Sequence, residues 1–455
     1  MIFLKIIIAG DGKVGATLTK QLSEQGYDIT LIDSNQSVLE TSVELYDIMA
    51  IKGNCATTDV LNSADVKGAD LLIAATSTDE INLLCCMTAH RLNPKIHTIA
   101  RIRNPEYRDQ IFDMRDVFGL SLIVNPERQA AIEIERLLQL PGFLKRDSFA
   151  NGRVEIVELK VNAQSKLKDV SLNDLYKIVK CKVLVCAVMR KNEVIIPGGD
   201  FVMRENDRIF VTAQSENLST LLKNLGIISK KVRRVILAGG GKISYYLAQR
   251  LETTNIAVTL IENDYKRCRE LAALLPKTDI IHGDASDRQL LIQAGLSECE
   301  ALVTLTGIDE LNIMISLYGS NCGVPQIITK LGRVEESGII DTLPIGSMIC
   351  PKKLCCDQIE RYVRAMENQT GAAVAVHHFA DGNAEAMEFR VDSKALNCDT
   401  PLKNLRLKKH VLLVSINKRG RTEIPNGDSF FSQGDTIIVV SGGDVVIRQL
   451  NDIFE

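Results

Sequence analysis

The stretch Ile6-Ile7-Ile8-Ala9-Gly10-Asp11-Gly12-Lys13-Val14-Gly15 constrains this chain more than any other. An apolar run with strand character enters a Gly-x-Gly-x-x-Gly turn and leaves it as a helical pattern. The first glycine permits a sharp turn, the second lets a diphosphate approach the backbone, and the third lets the helix pack close to the strand. A helix beginning there aims unpaired N–H groups and the positive end of its dipole at phosphate oxygens. Glycine turns also arise for packing alone, so the next strand matters. The apolar run 29–32 ends in Asp33, at the ~20-residue separation of a carboxylate that hydrogen-bonds ribose hydroxyls. Together they predict a nucleotide site.

Beyond Asp33 the patterns alternate as a parallel sheet requires. Helices are expected at 38–46, 59–64, 80–91, 105–112 and 126–140, with strands at 48–51, 71–75, 96–101 and 120–124. This is a doubly wound unit of six strands, closed by Pro141-Gly142. From 154 to 213 the grammar changes to short β runs at 156–161, 183–189 and 208–212, around Ile195-Ile196-Pro197-Gly198-Gly199-Asp200. Such segments suit a small α+β module. After a basic junction, Lys230-Lys231-Val232-Arg233-Arg234, the turn returns as Gly239-Gly240-Gly241.

The whole chain therefore repeats at one long period. Gly10 pairs with Gly239, Asp33 with Glu262 and Arg101 with Lys330 at an offset of 229. Gly53-Asn54 pairs with Gly283-Asp284, and Asp79-Glu80-Ile81-Asn82 with Asp309-Glu310-Leu311-Asn312, at 230. Ile196-Pro197 pairs with Ile424-Pro425 and Asp207 with Asp435 at 228. Register held within two residues over these anchors means duplication. The expected fold is α/β: two Rossmann-like, doubly wound parallel-sheet domains at 1–142 and 230–367, each followed by a small α+β module at 143–229 and 368–455.

Both halves place an acid at the end of the second strand. A carboxylate there accepts from free ribose hydroxyls and repels a 2′-phosphate, so NAD or an adenine nucleotide is favoured over NADP. Arg101 ends the fifth strand on the edge that carries the glycine turn, where it could counter phosphate charge or form a structural ion pair. Thr76 and Ser77 follow the fourth strand on the same edge, and either line the site or cap the helix near Asp79. In the second half Ser244 stands where the third glycine belongs, so helix and strand must sit further apart. Lys330 gives a point charge where Arg101 offers a fork.

Composition narrows the classes further. A net charge of −3, with 45% hydrophobic and 24% charged residues, describes an ordinary soluble balance and gives no nucleic-acid surface. No apolar run approaches the ~18 residues of a membrane span. The apolar start at Met1–Lys5 is broken by Asp11 and reads as the first core strand, not a signal peptide. Twelve cysteines without Cys-x-x-Cys spacing read as reduced core thiols of a cytoplasmic protein, the adjacent Cys85-Cys86 and Cys355-Cys356 included. The six histidines, His90, His97, His282, His377, His378 and His410, show neither metal-ligand spacing nor a catalytic partner. Two classes remain, a nucleotide-binding regulator and an NAD-dependent dehydrogenase with a duplicated fold. An apolar stripe on helix 126–140, formed by Ile132, Leu137 and Leu138, suggests self-association or an ordinary core-facing helix.

With two dinucleotide folds, each followed by a small β-rich module, the sequence resembles the TrkA family. These are peripheral, NAD-binding regulatory subunits of Trk potassium uptake systems, built from tandem regulator-of-potassium-conductance (RCK) domains. The resemblance covers essentially the full chain and rests on 5–15, Thr76-Ser77-Thr78-Asp79-Glu80-Ile81-Asn82, Ala100-Arg101-Ile102-Arg103-Asn104-Pro105-Glu106-Tyr107, Gly283-Asp284-Ala285-Ser286 and the paired Ile-Pro stretches. It implies a first nucleotide site of Gly10, Asp11, Gly12, Lys13, Val14, Asp33, Asn54, Cys55, Thr76, Ser77 and Arg101. It implies a second of Gly239, Gly240, Gly241, Lys242, Ile243, Glu262, Thr306, Gly307 and Lys330. The implied cofactor is NAD(H), with ATP or ADP as the alternative, and no catalytic residues or metal. The implied assembly is a homotetramer at the cytoplasmic face of the cell membrane, docked on an integral Trk-type potassium channel subunit that it gates.

Overall fold

The computed structural model describes residues 4–139, 143–149, 154–191, 193–227, 231–332, 340, 343–367, 373–380, 383–418, 420–442, 445, 447 and 449–455. Strands β1 (Lys5–Ala9), β2 (Asp28–Asp33), β3 (Met49–Lys52), β4 (Leu71–Ala74), β5 (His97–Arg101) and β6 (Leu122–Val124) form one sheet in the order β3-β2-β1-β4-β5-β6. Every neighbouring pair is parallel. The central strands read as unbroken apolar runs because helices cover both faces, and residues 6–9 and 71–74 are each 1% exposed or less. Helices α1 (Lys13–Glu24), α2 (Gln36–Leu45), α3 (Thr58–Ser63), α4 (Asp79–Leu92), α5 (Arg108–Asp113) and α6 (Pro126–Gln139) supply the cover. The strand order reverses between β1 and β4, and that switch point is where open α/β sheets take ligands.

An antiparallel sheet follows, β7 (Lys145–Phe149), β8 (Val154–Lys160), β9 (Val183–Arg190), β10 (Glu193–Ile195) and β11 (Arg208–Gln214), in the order β10-β9-β11-β8-β7. It carries α7 (Leu175–Val179) and α8 (Leu218–Leu225). The second parallel sheet is β12 (Arg234–Ala238), β13 (Ala257–Glu262), β14 (Thr278–His282), β15 (Ala301–Thr304), β16 (Gln326–Lys330) and β17 (Ser347–Ile349). Its order, β14-β13-β12-β15-β16-β17, repeats the first. Its helices are α9 (Lys242–Leu251), α10 (Tyr265–Leu274), α11 (Arg288–Gln293), α12 (Asp309–Asn321) and α13 (Pro351–Glu367). A second antiparallel sheet closes the series: β18 (Ala373–Phe379), β19 (Ala384–Arg390), β20 (Val411–Lys418), β21 (Arg421–Glu423) and β22 (Thr436–Gly442). The two antiparallel sheets share an apolar core, in which the Phe210 and Phe379 rings lie 4.9 Å apart.

The chain forms two compact units. One comprises Met1–Ile132, Leu331–Glu335 and Cys350–Tyr362; the other comprises Glu133–Lys330, Glu336–Ile349 and Val363–Glu455. In the first, residues 351–362 of α13 pack with the first Rossmann sheet's elements, although the second sheet precedes them in sequence. Gln25 Nε2 donates to Glu360 Oε1 at 2.7 Å, His97 Nδ1 pairs with the Tyr362 hydroxyl at 2.6 Å, and Cys356 Sγ approaches the Val14 carbonyl at 3.8 Å. In the second, the last turns of α6 meet the second sheet's elements. Arg250 Nε donates to Glu135 Oε2 at 2.5 Å, and Gln326 Nε2 donates to the Leu137 carbonyl at 2.9 Å. Leu137 and Leu138 are consequently 1% exposed. Leu137 and Leu138 of the apolar stripe are therefore core-facing, the second of the two readings, while Ile132 is partly buried.

Candidate functional site

The sequence-predicted residues of the first half gather on the carboxyl edge of the first sheet. Gly10 has φ +101°, a conformation that favours glycine, and a Cβ there would stand 2.9 Å from the Thr76 backbone. The turn thus leans on the end of β4. At Gly12, by contrast, a Cβ would meet nothing within 4 Å among the described residues. That is the open approach a diphosphate needs, and no side chain caps α1 behind it, so its first N–H groups, from Lys13 and Val14 onward, face the same opening.

Asp33 is fixed by two backbone donors, the Asp11 N–H to Oδ2 at 2.7 Å and the Asn35 N–H to Oδ1 at 2.8 Å. Asp11 is 8% exposed; its Oδ2 accepts from Ser42 Oγ at 2.7 Å, while Oδ1 has no hydrogen-bond partner among the described residues. Burial pushes its carboxyl pKa up, the Ser42 bond partly offsets this, and the neighbouring Asp33 charge adds to the rise. The 53–57 loop is held to the end of β2 by the Gly53 N–H, which donates to the Asp33 carbonyl at 2.9 Å. Asn54 Oδ1 closes that loop by accepting from the Ala56 N–H at 3.0 Å, and Cys55 is buried beneath it.

Thr76 does not cap α4, whose N-cap is Thr78. Its N–H and hydroxyl both go to Asn82 Oδ1, at 2.8 and 2.7 Å, and Asn82 Nδ2 donates to the Arg101 carbonyl at 2.8 Å. One buried amide therefore ties the ends of β4 and β5 together. Arg103 Nη2 donates to the Ser77 carbonyl at 2.7 Å. The Arg101 guanidinium is half-buried, and desolvation, with Arg103 nearby, draws its pKa down. Its Nε is buried without a hydrogen-bond partner among the described residues, and its Nη1 donates to the Ala75 carbonyl at 3.4 Å.

The second half repeats this construction. Gly239 has φ +106°, and among the described residues a Cβ at Gly241 or Gly307 would meet nothing within 4 Å. Lys242 and Ile243 open α9, which also lacks a side-chain cap. Glu262 Oε2 accepts the Gly240 N–H at 2.6 Å, as Asp33 does for Asp11. Thr306 N–H and hydroxyl go to Asn312 Oδ1 at 2.9 and 2.8 Å, and Asn312 Nδ2 donates to the Lys330 carbonyl at 3.0 Å. Lys330 Nζ donates to the Thr306 carbonyl at 2.6 Å, which occupies part of its charge. A Cβ at Gly15 would lie 1.8 Å from the Gly10 carbonyl oxygen. Ser244, in that place, is fully buried and its hydroxyl donates to the Gly239 carbonyl, so α9 starts further from its turn than α1 does.

Residues 6–126 and 235–351 match the TrkA-N domain and residues 156–226 match the TrkA-C domain, together more than half of the chain. This chain belongs to the TrkA family. It is 31% identical over 452 residues to the Trk system potassium uptake protein TrkA homolog of Archaeoglobus fulgidus, covering 99% of this chain and 100% of that one. It is 28% identical over 464 residues to the Trk system potassium uptake protein TrkA of Haemophilus influenzae, covering 99% of each. Among solved structures it is similar to the GsuK RCK domain, with a TM-score of 0.62 and 16% identity over 97% of this chain and 93% of that one. The GsuK channel bound to NAD gives a TM-score of 0.62 at 17% identity, over 97% and 77%. The structural likeness speaks for the fold. TrkA proteins are regulators and not enzymes, which sets the dehydrogenase alternative aside.

Within this TrkA-family chain, sequence reasoning missed Asn82 and Asn312 as site-building residues, although both sit in the repeated Asp-Glu-x-Asn segments. It also missed Asp79, whose Oδ2 accepts the Arg103 and Asn104 N–H groups at 2.9 and 2.7 Å. His282 is the strand partner of Glu262 at the end of β14, with its Nε2 paired to the Asn263 carbonyl at 3.1 Å, and His410 occupies a left-handed turn before β20. His377 and His378 lie in β18, with side chains outside the described residues. Among the described residues no three His, Cys, Asp or Glu side chains gather as a metal site, and no helix is long and apolar enough to cross a membrane.

Proposed function

We propose that this TrkA-family chain is the nucleotide-binding regulatory subunit of a Trk-type potassium uptake system, taking NAD(H) at the residues of the first site. Its modules are 1–142, 143–229, 230–367 and 368–455, and a homotetramer docks at the cytoplasmic face on the integral channel subunit that it gates. The observation that carries this reading is one constellation built twice: an acid holding the glycine turn, an uncapped helix N-terminus, and a Cβ-open glycine in front of it. The names of its relatives, potassium uptake proteins, and the NAD-bound state of a channel of the same fold support it. ADP is the second nucleotide to test, since the GsuK channel has also been solved bound to ADP. A ligand can shift the packing of these units only by binding one state more tightly than the other.

Calorimetry with NAD, NADH, ATP and ADP tests the site. Asp33→Ala is expected to weaken binding at the first site by roughly 1–3 kcal/mol, because ribose hydroxyls lose a charged acceptor. Glu262→Ala is expected to act on the other site alone. Nucleotide binding that ignores Asp33 overturns the assignment. Potassium flux through liposomes holding the channel subunit, with and without this chain and nucleotide, tests gating, and unchanged flux in all arms overturns it.

A further inference from the structure

Two thiols meet at the rim of the first site. Cys55, 5% exposed, lies one residue beneath exposed Asn54, and Cys85, fully buried on α4, belongs to the same core cluster. One turn further along α4, the Thr88 hydroxyl, which donates to the Leu84 carbonyl at 2.8 Å, stands 3.4 Å from the Ala56 carbonyl, so the 53–57 loop lies against the Cys85 face of that helix. The second half supplies an internal control. At an offset of 230 it has Ala285 and Ile315, both buried in the equivalent core. Packing at these places therefore does not call for sulfur.

We propose that Cys55 and Cys85 form a peroxide-oxidisable dithiol whose disulfide pulls the 53–57 loop inward and weakens nucleotide binding at the first site. The hydrogen bond between them draws the Cys55 thiol below its ordinary pKa and, with burial, holds the Cys85 thiol well above it, while burial pushes Cys86, Cys186 and Cys355 up to about 12. Thiolate character selects the nucleophile. Cys86 is adjacent to Cys85, but its Sγ is turned to the Ile99 carbonyl at 3.7 Å. The Cys55 thiolate attacks one oxygen of hydrogen peroxide and the O–O bond breaks. This leaves Cys55 sulfenic acid, and the departing hydroxide takes up the thiol proton as water. Cys85 sulfur then attacks Cys55 sulfur, the S–O bond breaks, and the second hydroxide leaves as water with the Cys85 proton. Two thiols lose two electrons, and one peroxide becomes two waters.

The effect on affinity rests on the proposed nucleotide site; the cross-link does not. The test treats the reduced full-length protein with a small excess of hydrogen peroxide, followed by alkylation in denaturant and peptide mapping by mass spectrometry. The expected product is a Cys55–Cys85 linkage, two hydrogens lighter, reversed by dithiothreitol and absent in Cys55→Ala and Cys85→Ile, which borrow the second half's residues. NAD affinity at the first site is expected to fall about tenfold on oxidation of the wild type and to hold in oxidised Cys85→Ile. Full alkylation of both cysteines after peroxide, or a linkage with unchanged NAD affinity, overturns the proposal. If the reduced protein binds no NAD, the nucleotide reading fails by itself while the peptide map still decides the dithiol.

Discussion

Asp11 carries an uncomfortable charge. It is buried beside Asp33 with one oxygen unbonded among the described residues, and its pKa is raised by burial first and by Asp33 as well. A carboxyl whose folded pKa lies above its unfolded value of 3.8 holds its proton more tightly in the folded state. Stability is thus lost as pH climbs from that value through the folded pKa, and the loss persists above it. Asp11→Asn keeps an acceptor for Ser42 and removes the charge. It is expected to raise the melting temperature near neutral pH, with the difference shrinking to nothing as pH falls to the unfolded value. A variant less stable than wild type at neutral pH contradicts this account. At this scale the sequence announced the glycines and the two acids, because their spacing is itself the signal. Asn82 and Asn312 were hidden because an asparagine early in a helix looks like any polar position until the strand ends it joins are known.

The Rossmann elements were legible to within about two residues, since buried parallel strands and amphipathic helices leave unmistakable periods. The small modules were less so. Strand β7, Lys145-Arg146-Asp147-Ser148-Phe149, has no apolar alternation to betray it, and the short helices α7 and α8 were missed in a segment read for its β runs. The pairing of helix and turn gives the test at the scale of elements. Gly15→Ala puts a carbon against the Gly10 carbonyl and forces α1 off its sheet, at an expected cost of about 1–3 kcal/mol or more. Ser244→Ala only removes a donor from the Gly239 carbonyl and is expected to cost about 1 kcal/mol. Urea unfolding of the two variants measures the contrast, and equal losses would mean that α1 and α9 are seated alike.

At the scale of the whole molecule, duplication could be read from the sequence, but the exchange of last helices could not. Periodicity says that 351–367 is amphipathic, not which sheet it covers, and a chain reading assigns it to the nearer one. The structure gives 350–362 to the first unit, where Glu360, Tyr362 and Cys356 meet Gln25, His97 and the Val14 carbonyl. A chain ending at residue 229 is therefore expected to bind a hydrophobic dye and to aggregate on size-exclusion chromatography. A monodisperse fragment with a sharp unfolding transition would show that α13 is dispensable to the first sheet.

The same exchange sets a timetable for biosynthesis. The segment that completes the first sheet is made 219 residues after Ile132 (351 − 132), and at ribosomal speeds of about 5–20 residues per second that is a wait of roughly 10–45 s. Throughout it, the face around Val14, Gln25 and His97 stands uncovered on the nascent chain. The glycine turn, first to be made, belongs to a domain that must be among the last to finish, and a helper that shields apolar surface during translation would find its client there.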